Sequence, residues 1–179
     1  MKVAMRKPTF FLLLLSASLS QAQFSRIGSS VYGDFNGDGV KEYAFCVQTD
    51  KGYGNAIENG VPGAYSIYFS SATISEIKVG CCDVILINEG DLNDDGADDL
   101  SLYQAPMNGN TYSMKTMSLN DSLWNVIVPT FLIPNSGFNI SSEGLQNKVY
   151  ERDGIIYFQQ TDFDNEGFIT KETAVEPIN

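Results

Sequence analysis

The chain has 179 residues, with 22 Asp and Glu against 11 Lys and Arg and a formal net charge of −11. That acidity disfavours nucleic acid and anionic membrane surfaces as partners. The lack of any histidine excludes Ser-His and Cys-His catalysis and histidine-rich transition-metal sites.

Met1 to Lys7 is basic, Phe10 to Leu15 is apolar, and Ser20–Gln21–Ala22 is a small–x–small end. This order is that of a secretory signal peptide, with cleavage expected after Ala22. The apolar run is too short to span a bilayer core of about 30 Å, and no cysteine follows it to carry a lipid. The expectation is a secreted or periplasmic protein, with residues 23–179 forming a single domain. No transmembrane segment is expected once the signal is removed.

Residues 23–32 read as a short strand. Next comes Gly33–Asp34–Phe35–Asn36–Gly37–Asp38–Gly39–Val40–Lys41–Glu42. Counting from Asp34, oxygen-bearing side chains stand at positions one, three, five and nine: Asp34, Asn36, Asp38 and Glu42. The backbone carbonyl of Val40 supplies position seven. A hard cation such as calcium takes six to eight oxygens at about 2.3–2.6 Å, and alternate residues of a tight loop can aim them at one centre. Gly39 at position six suits the sharp turn, since glycine adopts positive φ without steric cost.

A strand is expected near 43–49, then a Gly- and Asn-rich surface loop from Asp50 to Pro62. That loop is long for a compact domain and is a candidate functional segment. Strands follow at 64–69 and 74–79, and a fully apolar run at 84–87 reads as a buried strand. The acidic pattern then returns in Gly90–Asp91–Leu92–Asn93–Asp94–Asp95–Gly96–Ala97–Asp98–Asp99. Asp91, Asn93, Asp95 and Asp99 are the matching side chains, and Ala97 supplies the position-seven carbonyl. Asp34 and Asp91 lie 57 residues apart, a period that suits propeller or solenoid repeats.

Strands are expected near 100–104, 112–117 and 124–133, with a turn at 106–110. Residues 134–147 read as loop. Residues 148–158 read as a hairpin turning at Asp153–Gly154. A third echo places Asp162, Asp164 and Glu166 at positions one, three and five. The longer glutamate and the missing final acid weaken it, and a plain hairpin turn is the simpler reading. No helical period is evident after residue 22.

An EF-hand needs a bidentate acid at position twelve and flanking helices. Position twelve is Phe45 in one loop and Leu102 in the other, so that reading fails. A nine-residue cation loop feeding a strand resembles the FG-GAP (VCBS-type) repeats of secreted bacterial proteins and integrin α-chain propellers. The resemblance implies about two bound Ca2+ ions and an all-β fold. It implies antiparallel, blade-like sheets with calcium-binding loops between strands, in an incomplete propeller-like arc or a sandwich. Units are expected near 28–83 and 84–134, with a weaker one at 145–179.

Of the three cysteines, one disulfide with one thiol left over is expected in an exported chain. Adjacent cysteines seldom pair, which points to Cys46 with Cys81 or Cys82. The function expected is a calcium-stabilised binding or adhesion module, taking a protein or glycan ligand and open to self-association through sheet edges. The alternative is a partner subunit or inhibitor of another secreted protein. A carboxylate-based glycoside hydrolase is disfavoured, because the conspicuous acids already belong to the loops. No catalytic residue is assigned.

Overall fold

The computed structural model describes residues 25–54, 58–134, 140–164 and 169–175. The expected signal segment lies outside the described residues. The fold is all-β and antiparallel, with three sheets among the described residues. β1 (Ile27–Gly28) and β2 (Ser30–Gly33) open it, and β2 continues through β3 (Glu42–Asp50), β4 (Ala64–Phe69) and β5 (Ile77–Gly80) as a four-stranded sheet in that order. β6 (Val84–Gly90), β7 (Asp99–Gln104), β8 (Thr111–Asn120) and β9 (Leu123–Pro134) make the second sheet. β1 leaves its neighbour β2 and pairs along β6, Ile27 opposite Ile87, so the second sheet has five strands. After α1 (Ser142–Gln146), the strands β10 (Val149–Arg152), β11 (Ile155–Asp162) and β12 (Ile169–Ala174) form the third.

Side-chain alternation explains how the sheets stack. In a strand, successive side chains point to opposite faces. Along β7, Leu100 and Leu102 enter one core while Tyr103 enters the other. The first core joins Val31, Phe35, Ala44 and Ile67 of the first sheet and its loop to Val84, Leu86, Leu100 and Leu102 of the second. The second core joins Ile87, Tyr103, Met114 and Phe131 to Leu145, Val149 and Phe158. The five-stranded sheet is therefore a middle layer, apolar on both faces. Each fully buried Leu, Ile or Phe there contributes about 1.5–3 kcal/mol.

Tight turns hold the hairpins. β8 turns into β9 through Asp121 (φ 49°) and Ser122 (φ 65°), and β10 into β11 through Asp153 (φ 56°) and Gly154 (φ 76°). Positive φ at both central residues is the turn geometry that matches strand twist. Near the two ends of the long 50–62 segment, Tyr53 and Val61 exchange two backbone hydrogen bonds of 2.9 Å.

Two expectations are corrected. A strand from residue 74 is not found: β5 starts at Ile77. The backbone before it is drawn toward β9, because Trp124 Nε1 donates to the Ser75 carbonyl at 3.0 Å and Ser75 Oγ donates to that of Ser122 at 3.1 Å. The expected 134–147 loop contains α1, capped by Ser141, whose hydroxyl accepts from Gly144 N at 3.1 Å. Among the described residues, no helix is long and apolar enough to cross a membrane.

Candidate metal site

The first acidic loop joins β2 to β3 and the second joins β6 to β7. Each is pinned by an apolar residue at position two. Phe35 is fully buried and Leu92 nearly so. Their N–H groups donate to the carboxylate at position nine, Phe35 N to Glu42 Oε2 at 3.1 Å and Leu92 N to Asp99 Oδ2 at 2.9 Å. The anchor thus fixes the last acid of each loop, and in the first loop it holds Glu42 near Asp34.

The remaining bonds repeat almost atom for atom. Asp34 accepts from Asp38 N at 3.1 Å and Gly39 N at 2.9 Å; Asp91 accepts from Asp95 N at 3.1 Å and Gly96 N at 2.9 Å. Asn36 Oδ1 and Asn93 Oδ1 accept from the N–H groups of Asp38 and Asp95, at 3.1 Å each. Asp38 accepts from Val40 N at 2.8 Å and Asp95 from Ala97 N at 3.0 Å. Backbone with positive φ makes the wrap possible. Position six is Gly39 (φ 84°) and Gly96 (φ 91°); position four is Gly37 (φ 69°) in one loop and Asp94 (φ 57°) in the other.

In the first loop, Asp34, Asp38 and Glu42 each present a carboxylate oxygen within 4.8 Å of the others, the one such acidic group among the described residues. Burial pushes the Glu42 carboxyl above its ordinary range, and the nearby charges of Asp38 and Asp34 push it further. In the second loop, burial raises Asp99 to about 7, with Asp95 and Asp91 adding to it and the Leu92 N–H and Ser118 hydroxyl opposing. Asp99 is wholly buried, and its Oδ1 has no hydrogen-bond partner. Leaving a buried acceptor unmet costs about 1–3 kcal/mol. A bound cation removes that cost and reverses the upward shift. The donor set fits a hard cation, since every candidate ligand is oxygen and none is nitrogen or sulfur.

The structure adds residues that motif reading missed. Asn36 Nδ2 reaches Thr73 Oγ1 at 3.4 Å, and Asn93 Nδ2 reaches Ser118 Oγ at 3.2 Å. Ser118 also donates to Asp95 Oδ2 at 2.9 Å. These hydroxyls brace the position-three amides from 37 and 25 residues away in sequence, where no spacing rule could find them. Glu89 was missed too. Burial raises its carboxyl to about 8, and one oxygen, Oε1, is buried without a partner.

The third acidic echo falls between β11 and β12, where Asp162 pairs with Ile169 across a hairpin. Asp164 N donates to Asp162 Oδ1 at 3.1 Å, and Glu166 lies outside the described residues. In place of the expected pairing with Cys46, Cys81 and Cys82 form a close pair, and Cys46 is free. Cys46 sits in β3 against the first core, while the other two lie side by side where the chain passes from β5 to β6. Gln104 Nε2 holds that passage through the carbonyls of Val79 and Cys81. Burial and the Asp83 carboxylate hold the Cys46 thiol above its ordinary range.

Comparison with protein-family models, with curated proteins and with solved structures finds no match.

Proposed function

We propose that this chain is an extracellular β-repeat module of the FG-GAP type, a binding or adhesion protein whose two acidic loops each hold a structural Ca2+. The observation that carries the reading is Asp99. An oxygen, Oδ1, without a hydrogen-bond partner on a wholly buried carboxylate at the ninth position of an oxygen-lined loop supports a cation there. The matching bonds of the first loop extend the reading to Asp34, Asn36, Asp38 and Glu42. Face-to-face stacking of antiparallel sheets, with each loop joining two neighbouring strands of its sheet, supports the blade-like assignment. The N-terminal signal pattern supports export. Extracellular calcium is plentiful enough to fill weak sites of this kind. Its role is to hold strand ends together, and ligand recognition falls to the exposed surfaces.

Titration calorimetry with CaCl2 tests this. The full chain is expected to take up two ions, and Asp38→Ala and Asp95→Ala to lose one each. Absence of binding at millimolar calcium rules the reading out.

A further inference from the structure

Resting on that cation reading, we propose that the two loops form one cooperative unit, in which filling either loop raises the calcium affinity of the other through a bridge made by Asp98 and Asn88.

Asp98 occupies position eight of the second loop, where the ligand pattern has no use for a side chain. Its carboxylate instead leaves its own loop. Asp98 Oδ2 accepts from Asp34 N at 3.0 Å, and Asp98 N donates to the Asp34 carbonyl at 2.7 Å. Both backbone groups of the first loop's leading ligand are therefore held by one residue. That residue is flanked by Ala97 and Asp99, positions seven and nine of the second loop.

Asn88 completes the bridge from below and is 5% exposed. Its Nδ2 donates to Asp98 Oδ2 at 3.0 Å and to the Tyr32 carbonyl at 2.9 Å, two residues before Asp34. Its Oδ1 accepts from Gly90 N at 2.7 Å, one residue before Asp91. One buried amide thus touches the strand ends that launch both loops. The fit has no slack. A Cβ on Gly33 would collide with Asn88 Nδ2 and stand 2.6 Å from Asp98 Oδ2. A Cβ on Gly37 would stand 3.1 Å from the Gly96 carbonyl oxygen.

The sign of the coupling follows from these contacts. Without a cation, the like charges within a loop push it open. Opening the first loop displaces Asp34, releases Asp98 and disturbs Asp99, whose Oδ1 waits without a partner. A cation in the second loop fixes Asp99, hence Asp98, and presents the first loop with Asp34 already ordered. The second ion to bind then orders less chain than the first. Linkage makes the effect reciprocal. Repulsion between the two bound charges opposes it, but is screened over about 8 Å at physiological ionic strength, whereas the hydrogen-bonded bridge is direct.

The test is CaCl2 titration calorimetry on the full chain, with Asp38→Ala and Asp95→Ala as single-loop variants. The loop left intact in each variant is expected to bind calcium at least about five-fold more weakly than the same loop does in the wild-type chain with its partner filled, the lower end of ordinary coupling. Asp98→Ala is expected to bind two ions with the coupling lost. Asp98→Asn keeps an acceptor oxygen and is expected to retain it. Single loops that bind as tightly alone as together overturn the bridge while leaving two calcium sites standing. A wild-type chain that binds no calcium overturns the bridge and the cation reading together. The single-loop comparison decides the matter even if Asp98→Ala does not fold.

Discussion

Asp99 and Glu42 set the pH behaviour of the loops. Both carboxyls are held above their ordinary range, Asp99 at about 7. A folded-state value above the unfolded one means that the folded chain keeps protons the unfolded chain has released. Without calcium, stability therefore falls as pH rises from about 4 towards 7, and Glu89, raised to about 8, extends the same trend. Calcium bound in the proposed sites would reverse the sign by favouring the ionised forms. Thermal midpoints in chelator are expected to be lower at about pH 7.5 than at about pH 5, and in excess calcium to be higher. Equal slopes in the two conditions would separate these acids from the metal. Asp94 adds a backbone test. It holds the left-handed conformation that Gly37 supplies in the first loop, at a cost of about 1–2 kcal/mol for an ordinary residue. Asp94→Gly is expected to be neutral or stabilising by up to about 1 kcal/mol, whereas Gly37→Asp meets the Gly96 carbonyl and destabilises by more, as urea titration measures. The candidate residues of the two acidic loops were legible because their chemistry alternates along a short segment. Asp98 was not, because an acid at position eight reads as one more solvated charge until the other loop is seen against it. The closeness of Cys81 and Cys82 was not legible either, since it depends on where the chain turns between sheets. Alkylation without reduction is expected to label Cys46 alone and slowly, its thiol being partly buried and beside Asp83; peptide mapping reads the site.

Among the elements, each acidic loop is a strand connection pinned by one apolar side chain. Phe35→Ala and Leu92→Ala are expected to cost about 3–5 and about 2–5 kcal/mol. Each is also expected to weaken calcium binding in its own loop, since the anchor's N–H positions the ninth ligand. Denaturant unfolding and calcium titration of the same variants read the two effects. Ser118→Ala is expected to weaken the second loop's calcium binding more than the first's, because it removes the brace on Asn93 and Asp95. The strands themselves were largely legible, since alternation and β-branched runs dictate them. What escaped was decided by contacts distant in sequence. β1 abandons its neighbour for β6, residues 74–76 follow Trp124 out of the sheet, and α1 is too short to leave a period.

At the scale of the molecule, three sheets share two cores and the middle sheet serves both. The two loops meet across the first of these interfaces, so the cations would tie one sheet to the next as well as strand to strand. With free calcium at about 100 times the dissociation constant, each proposed site would add about 2.7 kcal/mol to stability. Chelation is expected to lower the melting temperature by several degrees and to expose residues 34–42 and 91–99 to protease. Magnesium is expected to restore little, because it keeps its waters and demands a smaller octahedral shell. The most direct measurement is an anomalous difference map from crystals grown in calcium. Two peaks are expected. One lies among Asp34, Asn36, Asp38, the Val40 carbonyl and Glu42, and the other among Asp91, Asn93, Asp95, the Ala97 carbonyl and Asp99, with Asp99 Oδ1 turned to its ion. A map at saturating calcium with no peak in either loop would contradict the account.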